Sequence, residues 1–275
     1  MSESIIRGEN EVVGLVPAAG QGKRIAPLPL SKELYPIGFQ IIDGEKTPKP
    51  KVVSHYLLEK FRYAGITKAF IVLREGKWDI PSYFGAGEML DMHLAYLTIR
   101  DSCGPPFTID KAFPFIKNRL IAFGFPDILF GPDDVFIQLL NCQTTKNSDL
   151  VLGLFPAQVP QEMDMVEVEE NGKVRNMLLK PTQTHLTYSW LCAIWTPVFT
   201  QFMHTYLQGV RSKGMSEVQT RKIDAQGDLP VGAVIKASIQ QGLRVDGVKF
   251  PKGTYIDIGR PDDLVKAIEN YGDYQ

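Results

Sequence analysis

A short apolar run opens directly onto a glycine turn crowded with cations. Val12 to Val16 carry no charge, Pro17 ends the run, and residues 18–37 read AAGQGKRIAPLPLSKELYPI. A short apolar run without alternation is the pattern of a strand covered on both faces, as in a parallel sheet flanked by helices. Gly20 and Gly22 let the backbone turn tightly and approach a ligand closely. N–H groups freed in such a turn, beside a helix start, form an anion-binding concavity. Lys23, Arg24 and Lys32 bring positive charge to the same stretch. The composition is that of a polyphosphate cradle. Taken alone, it is also that of a surface turn with solvated cations, because glycine turns are weak motifs without context.

The context is an alternation of strands and helices. Residues 51–64 place Val53, Tyr56, Leu57, Phe61 and Ala64 at helical spacing, and Gly65 fits the end of that helix. Lys68 to Leu73 reads as a second buried strand, which completes a βαβ unit. A short helix around Trp78 to Phe84, a strand over 92–99, a helix over 109–117 capped by Thr108, and a strand over 120–125 follow. Residues 133–145 read as helix and 150–155 as strand. Prolines 27, 29 and 36 are expected to keep residues 25–37 largely extended. The pattern then changes. Residues 165–170 and 173–179 flank Asn171-Gly172, a strong hairpin signal. A strand over 190–195, helices over 197–208 and 231–241, strands over 243–250 and 254–258, and a helix over 261–270 beginning at Pro261 complete the chain. The polar stretch over 211–228 reads as a loop or flap. These elements predict a Rossmann-like, three-layer α/β/α fold. Its central sheet is mixed and mostly parallel, with a small hairpin-containing subregion. One domain over 1–275 is expected, with a tail over 1–10, a nucleotide-binding half over 10–150 and an acceptor-binding half over 151–275.

The bulk numbers narrow the partners. A chain of 275 residues with net charge −1 gives no sign of a nucleic-acid coat or a polybasic membrane surface. No run approaches the length of a membrane span, and the start MSESIIRGENE lacks an apolar signal core. Cys103, Cys142 and Cys192 lie far apart, without metal or redox spacing, which fits a reducing cytoplasm. His55, His93, His185 and His204 show no metal or acid–base spacing and read as packed or surface residues.

Asp127 and Asp257 each fall near the C-terminal end of an expected strand. Ligands of open α/β sheets bind at that edge, so both carboxylates can face the glycine turn. Two carboxylates opposite a polyphosphate suit Mg²⁺, which takes one or two carboxylates together with phosphate oxygens and water. Each aspartate by itself is equally a turn or cap residue.

Ordered motifs now become legible. Gly20-Gln21-Gly22-Lys23-Arg24-Ile25-Ala26-Pro27-Leu28 resembles the G-x-G-T-R-L-x-P-L opening of the sugar nucleotidyltransferases, with Lys23 in place of threonine. Ser31-Lys32-Glu33-Leu34-Tyr35-Pro36-Ile37 resembles the lysine segment that follows, at a slightly shorter spacing. Lys49-Pro50-Lys51-Val52, Tyr83-Phe84-Gly85-Ala86-Gly87, Gly124-Phe125-Pro126-Asp127, Glu167 through Pro181, and Asp257-Ile258-Gly259 resemble later family motifs in order. The resemblance covers about residues 10–270. It implies that Arg24 and Lys32 hold the triphosphate and sugar phosphate as catalytic residues. It further implies that Ala19, Gly20, Gln21, Gly22, Lys23 and Thr108 bind the nucleotide, dTTP or UTP being favoured. Asp127 and Asp257 would bind Mg²⁺, and Asp164, Lys180 and Trp190 would contact the acceptor. The length leaves no room for the C-terminal β-helix of some relatives, so no acetyltransferase activity is expected. A homo-oligomer is left open.

Several departures fall where the family reads sugar or base. Leu179 replaces a glutamate, Asp164 and Leu191 align with glycines, Thr108 to Ala112 replace a G-L-A-Q-A helix, and the base-reading glutamine falls at Ser102 or Cys103. Trp190, Leu191 and Leu179 are expected to make the acceptor pocket narrower and more apolar. The leading expectation is an Mg²⁺-dependent transfer of a nucleotidyl group to a sugar-1-phosphate-like acceptor, with release of pyrophosphate. The alternative is a diverged nucleotide- or nucleotide-sugar-binding regulatory protein of the same fold. A dinucleotide-dependent dehydrogenase is disfavoured, because the turn lacks the G-x-G-x-x-G order.

Overall fold

The computed structural model describes residues 11–41, 46–100, 103–212 and 228–271. Strand β1 (Val12–Ala18) is followed by two single 3-10 turns, Lys23–Ile25 and Lys32–Leu34. An antiparallel pair, β2 (Pro36–Gln40) and β3 (Lys49–Val52), comes next. Helix α1 (Val53–Tyr63) leads to β4 (Lys68–Arg74), and helix α2 (Asp79–Phe84) to β5 (His93–Ile99). Helices α3 (Pro105–Asp110) and α4 (Phe113–Ile116) precede β6 (Leu120–Gly124) and β7 (Ile128–Gly131). Helix α5 (Val135–Lys146), β8 (Leu150–Pro156), the hairpin β9 (Asp164–Val168) and β10 (Val174–Leu179), β11 (Tyr188–Trp195) and α6 (Pro197–Ser212) follow. Then come α7 (Val231–Gln240), β12 (Val245–Lys249), β13 (Thr254–Asp257) and α8 (Pro261–Tyr271).

Nine of these strands form one mixed sheet. Its parallel part is β5–β4–β1–β6, and β12 also runs parallel to β8. Between these parts lies β11, antiparallel to β6 and to β8. The alternation of β1 explains the layers. Val12, Val16 and Ala18 pack with Leu57, Leu58 and Phe61 of α1 on one face, whereas Val13 and Leu15 pack with Ile109, Phe199 and Val234 on the other. Helix α1 ends as its sequence requires: Gly65 takes φ 78 and donates its N–H to the Arg62 carbonyl at 2.9 Å. No helix among the described residues is long and apolar enough to cross a membrane.

Three differences from the sequence reading shape the site. Thr108 does not cap a helix over 109–117. It lies inside α3, which is capped by Gly104, and it is 3% exposed. Strands β2, β3 and β7 are short; β2 and β3 pair with each other, whereas β7 pairs with a strand far along the chain. The β3 strand takes residues 49–52, so α1 starts at Val53 and not at Lys51. Finally, β13 leaves the central sheet and pairs antiparallel with β7. Most of the 211–228 stretch lies outside the described residues.

One edge of β11 has two successive partners. Strand β6 holds it from Trp195 to Cys192, and β6 stops at Gly124. Beyond that point β9 takes over, pairing Met165 with Ser189. The chain leaving β6 through Phe125, Pro126 and Asp127 therefore turns out between the parallel sheet and the hairpin.

Candidate active site

The turn after β1 is built around Lys32. Gly22 sits at φ 64, the left-handed region, and its carbonyl accepts from Ile25 N–H at 3.1 Å to close the turn. The Lys32 side chain runs beneath the turn. Atoms added as Cβ at Gly20 and Gly22 would lie 3.6 and 3.8 Å from it. Its ammonium reaches the Asp127 carboxylate, and both side chains are nearly buried. Burial opposes the charged form of Lys32, but the attraction of Asp127, joined by Glu33 and Asp257, outweighs it and leaves the lysine pKa raised. Burial likewise pushes Asp127 up, and Lys32 more than reverses this, so the carboxyl lies below its ordinary range.

The second carboxylate arrives through the small sheet. In the β7–β13 pair Asp257 stands opposite Ile128, and the Ile258 N–H donates to the Asp127 carbonyl at 3.1 Å. A cluster of Ile37, Val53, Leu129, Ile258 and Ala267 anchors this corner to β2, α1 and α8. Asp257 Oδ1 accepts from the Gly259 N–H at 2.8 Å, and Oδ2 lies 3.9 Å from Arg24. Burial, and then the negative charge of Asp127, raise the Asp257 pKa. Two carboxylates that repel each other in this way fit a divalent cation, which would relieve both burial and repulsion. Among the described residues no three His, Cys, Asp or Glu side chains gather to hold a metal. The donor set therefore suits a hard cation completed by phosphate oxygens and water, and not a closed structural site.

A cavity of about 690 Å³ opens over these groups. It is lined by the whole turn, Ala19, Gly20, Gln21, Gly22 and Lys23, by Arg24, Lys32 and Asp127, and by Thr108. A second cleft of about 580 Å³ shares Arg24 and Asp127 with the first and contains Asp164, Lys180, Trp190 and Asp257. Each candidate from the sequence thus lies on one of two adjoining cavities that meet at Arg24 and Asp127. Cys103 does not. It lines a separate cavity with Phe107 and Asp110, and Ser102 lies outside the described residues.

Some groups were not legible in the sequence. Arg74, at the end of β4, lines the first cavity and donates to the Ala19 carbonyl at 3.2 Å. A cation at the C-terminal end of a parallel strand was the available signal. Glu33 is 2% exposed and meets Lys77 at 2.7 Å, which offsets much of the effect of burial on its pKa. Of the leucines, Leu191 lines the second cleft, whereas Leu179 does not; Leu179 instead lies beside Gly232 in the first turn of α7.

The fold matches that of solved nucleotidyltransferase structures. The protein superimposes with a TM-score of 0.75 and 16% identity on a provisionally named glucose-1-phosphate thymidylyltransferase of Bacillus anthracis crystallised with sucrose, over 96% of each chain. A UDP-glucose pyrophosphorylase complexed with UDP-glucose gives 0.73 at 17% identity, covering 94% of this chain and 98% of that one. In sequence, the chain is 25% identical to a provisionally named UTP–glucose-1-phosphate uridylyltransferase of Bacillus subtilis, over 92% of this chain and 94% of that protein. It is 20% identical to the bifunctional protein GlmU of Methanococcus maripaludis, over 94% of this chain but 54% of that protein. No family model matches. The chain is a distant homologue of the sugar nucleotidyltransferases.

Proposed function

We propose that this protein transfers a nucleotidyl group from a nucleoside triphosphate to a phosphorylated sugar or similar small acceptor, releasing pyrophosphate. The observation that carries this reading is the meeting of the glycine turn, Arg24, Lys32, Asp127 and Asp257 where two cavities join. An acceptor phosphate oxygen attacks the α-phosphorus, a new P–O bond forms, and the bond to the pyrophosphate leaving group breaks. A phosphate monoester is already nucleophilic, so no side-chain nucleophile is required. The work left to the protein is positioning and charge neutralisation. The turn backbone and Lys23 cradle the leaving phosphates. Arg24, 52% exposed and at the junction, is free to swing between Asp257 and a phosphate. Lys32 holds its charge beside Asp127 and under the turn. Asp127 and Asp257 would hold Mg²⁺, which when bound polarises phosphate oxygens and offsets their charge.

The homologues' names favour UTP or dTTP as donor and a sugar phosphate as acceptor, and a cytoplasmic setting follows from that chemistry. The test is pyrophosphate release from each nucleoside triphosphate with Mg²⁺ and a panel of sugar 1-phosphates. Turnover with at least one pair is expected. Nucleotide binding without release from any pair would favour the regulatory alternative, which the Leu191 replacement in the second cleft motivates.

A further inference from the structure

The acceptor cleft contains a group whose bonding is incomplete. Asp164 opens β9, and its Oδ1 is buried without a hydrogen-bond partner, the only such side-chain atom among the described residues. The other oxygen is closed in by α7: a Cβ at Gly232 would collide with Asp164 Oδ2. Burial pushes the carboxyl up to about 6, against the pull of Lys180 and of the Trp190 indole. Next to it Lys180 takes φ 41, a conformation that costs a non-glycine residue energy and concentrates at ligand sites. Two further polar groups of the cleft are committed elsewhere. Ser189 Oγ donates to the Asp164 carbonyl at 3.0 Å, and Arg260 is paired with Glu162. Trp190 and Leu191 supply apolar walls.

A buried carboxylate oxygen without a donor destabilises the free protein. It is explained if a ligand brings the donor. We propose that Asp164 is a specificity-determining residue of this cleft, its Oδ1 accepting a hydrogen bond from a hydroxyl or ammonium substituent of the acceptor. The word acceptor rests on the nucleotidyltransferase reading; the demand of Asp164 for a donor does not.

The test compares the wild type with Asp164→Asn and Asp164→Ala. Pyrophosphate release is measured with glucose 1-phosphate, glucosamine 1-phosphate and N-acetylglucosamine 1-phosphate, alongside thermal midpoints and calorimetric binding of UDP-glucose and UDP-glucosamine. Asp164→Ala is expected to raise the acceptor KM tenfold or more, with a smaller change in kcat and an unchanged or higher midpoint. If the donor is an ammonium, Asp164→Asn loses the glucosamine arm selectively; if it is a hydroxyl, Asp164→Asn is the milder variant on every arm. Unchanged KM and unchanged preference overturn the proposal, as does a lowered midpoint, which marks a structural role. Without turnover, nucleotide-sugar binding that weakens in both variants upholds the role of Asp164 while sinking the enzymatic reading. Absence of both turnover and binding sinks both.

Discussion

The two sides of the Asp127 loop handle buried charge in opposite ways. On the glycine-turn side, Lys32 meets Asp127, Lys77 meets Glu33 at 2.7 Å, and Arg24 stands 3.9 Å from Asp257. On the hairpin side, Asp164 Oδ1 is buried and unpartnered. Under the proposed nucleotidyl transfer, the first side meets a polyphosphate whose charge is the same whatever base it carries, so its charges can be paired in advance. An acceptor varies in its substituents, and a group that waits for a ligand donor discriminates among them because leaving it unpaired is costly. If the proposals hold, the first side contributes stability and the second selectivity.

That contrast can be broken by substitution. Lys77→Met should have the largest effect on stability, because it leaves Glu33 buried without its directly bonded counter-charge. A loss of about 3–5 kcal/mol is expected from urea unfolding. Asp257→Asn should leave the fold intact by circular dichroism but lower pyrophosphate release by roughly 10²–10³-fold, the scale of a lost electrostatic contact to reacting phosphates.

Asp164→Asn should act in the opposite sense on stability. The folded carboxyl has its pKa raised from 3.8 to about 6, so between these values the folded protein binds more protons than the unfolded chain. Stability therefore falls as pH rises through this window, and the penalty is fully present above pH 6. The variant should be more stable by about 1–3 kcal/mol at pH 7.5, with the gain fading towards pH 4. Urea titrations at the two pH values read this directly; a gain independent of pH would assign the effect to packing. The smallest change is expected from Gly232→Ala. Its methyl would displace Asp164, weakening the acceptor KM a few-fold at a stability cost of about 1–2 kcal/mol.

Much of the parallel half was readable because its signals are local. A buried run, a glycine turn and an amphipathic helix each declare themselves within a few residues, and β1, α1 and β4 lie where their patterns place them. The hairpin is also local, since Asn171-Gly172 marks its turn, and Gly172 takes φ 87 there. The placement of Asp257 was less readable. It depends on β7, four residues long, whose partner lies more than a hundred residues away in the chain. The orientation of Trp190 was not readable either. Strand β11 shifts register between Trp190 and Cys192, so Trp190 joins Trp195 on the face packed by α6 and α7, whereas strict alternation would put it on the face of Cys192.

By itself the sequence determined the ordered motifs, the α/β alternation and the types of charge available, because periodicity and turn chemistry are local properties. Only the tertiary structure decided which charges are satisfied. Pairing of Lys32 with Asp127, the approach of Asp257 through β13, and the burial of Asp164 against α7 each join residues distant in the chain, and burial sets how strongly such groups depend on their partners.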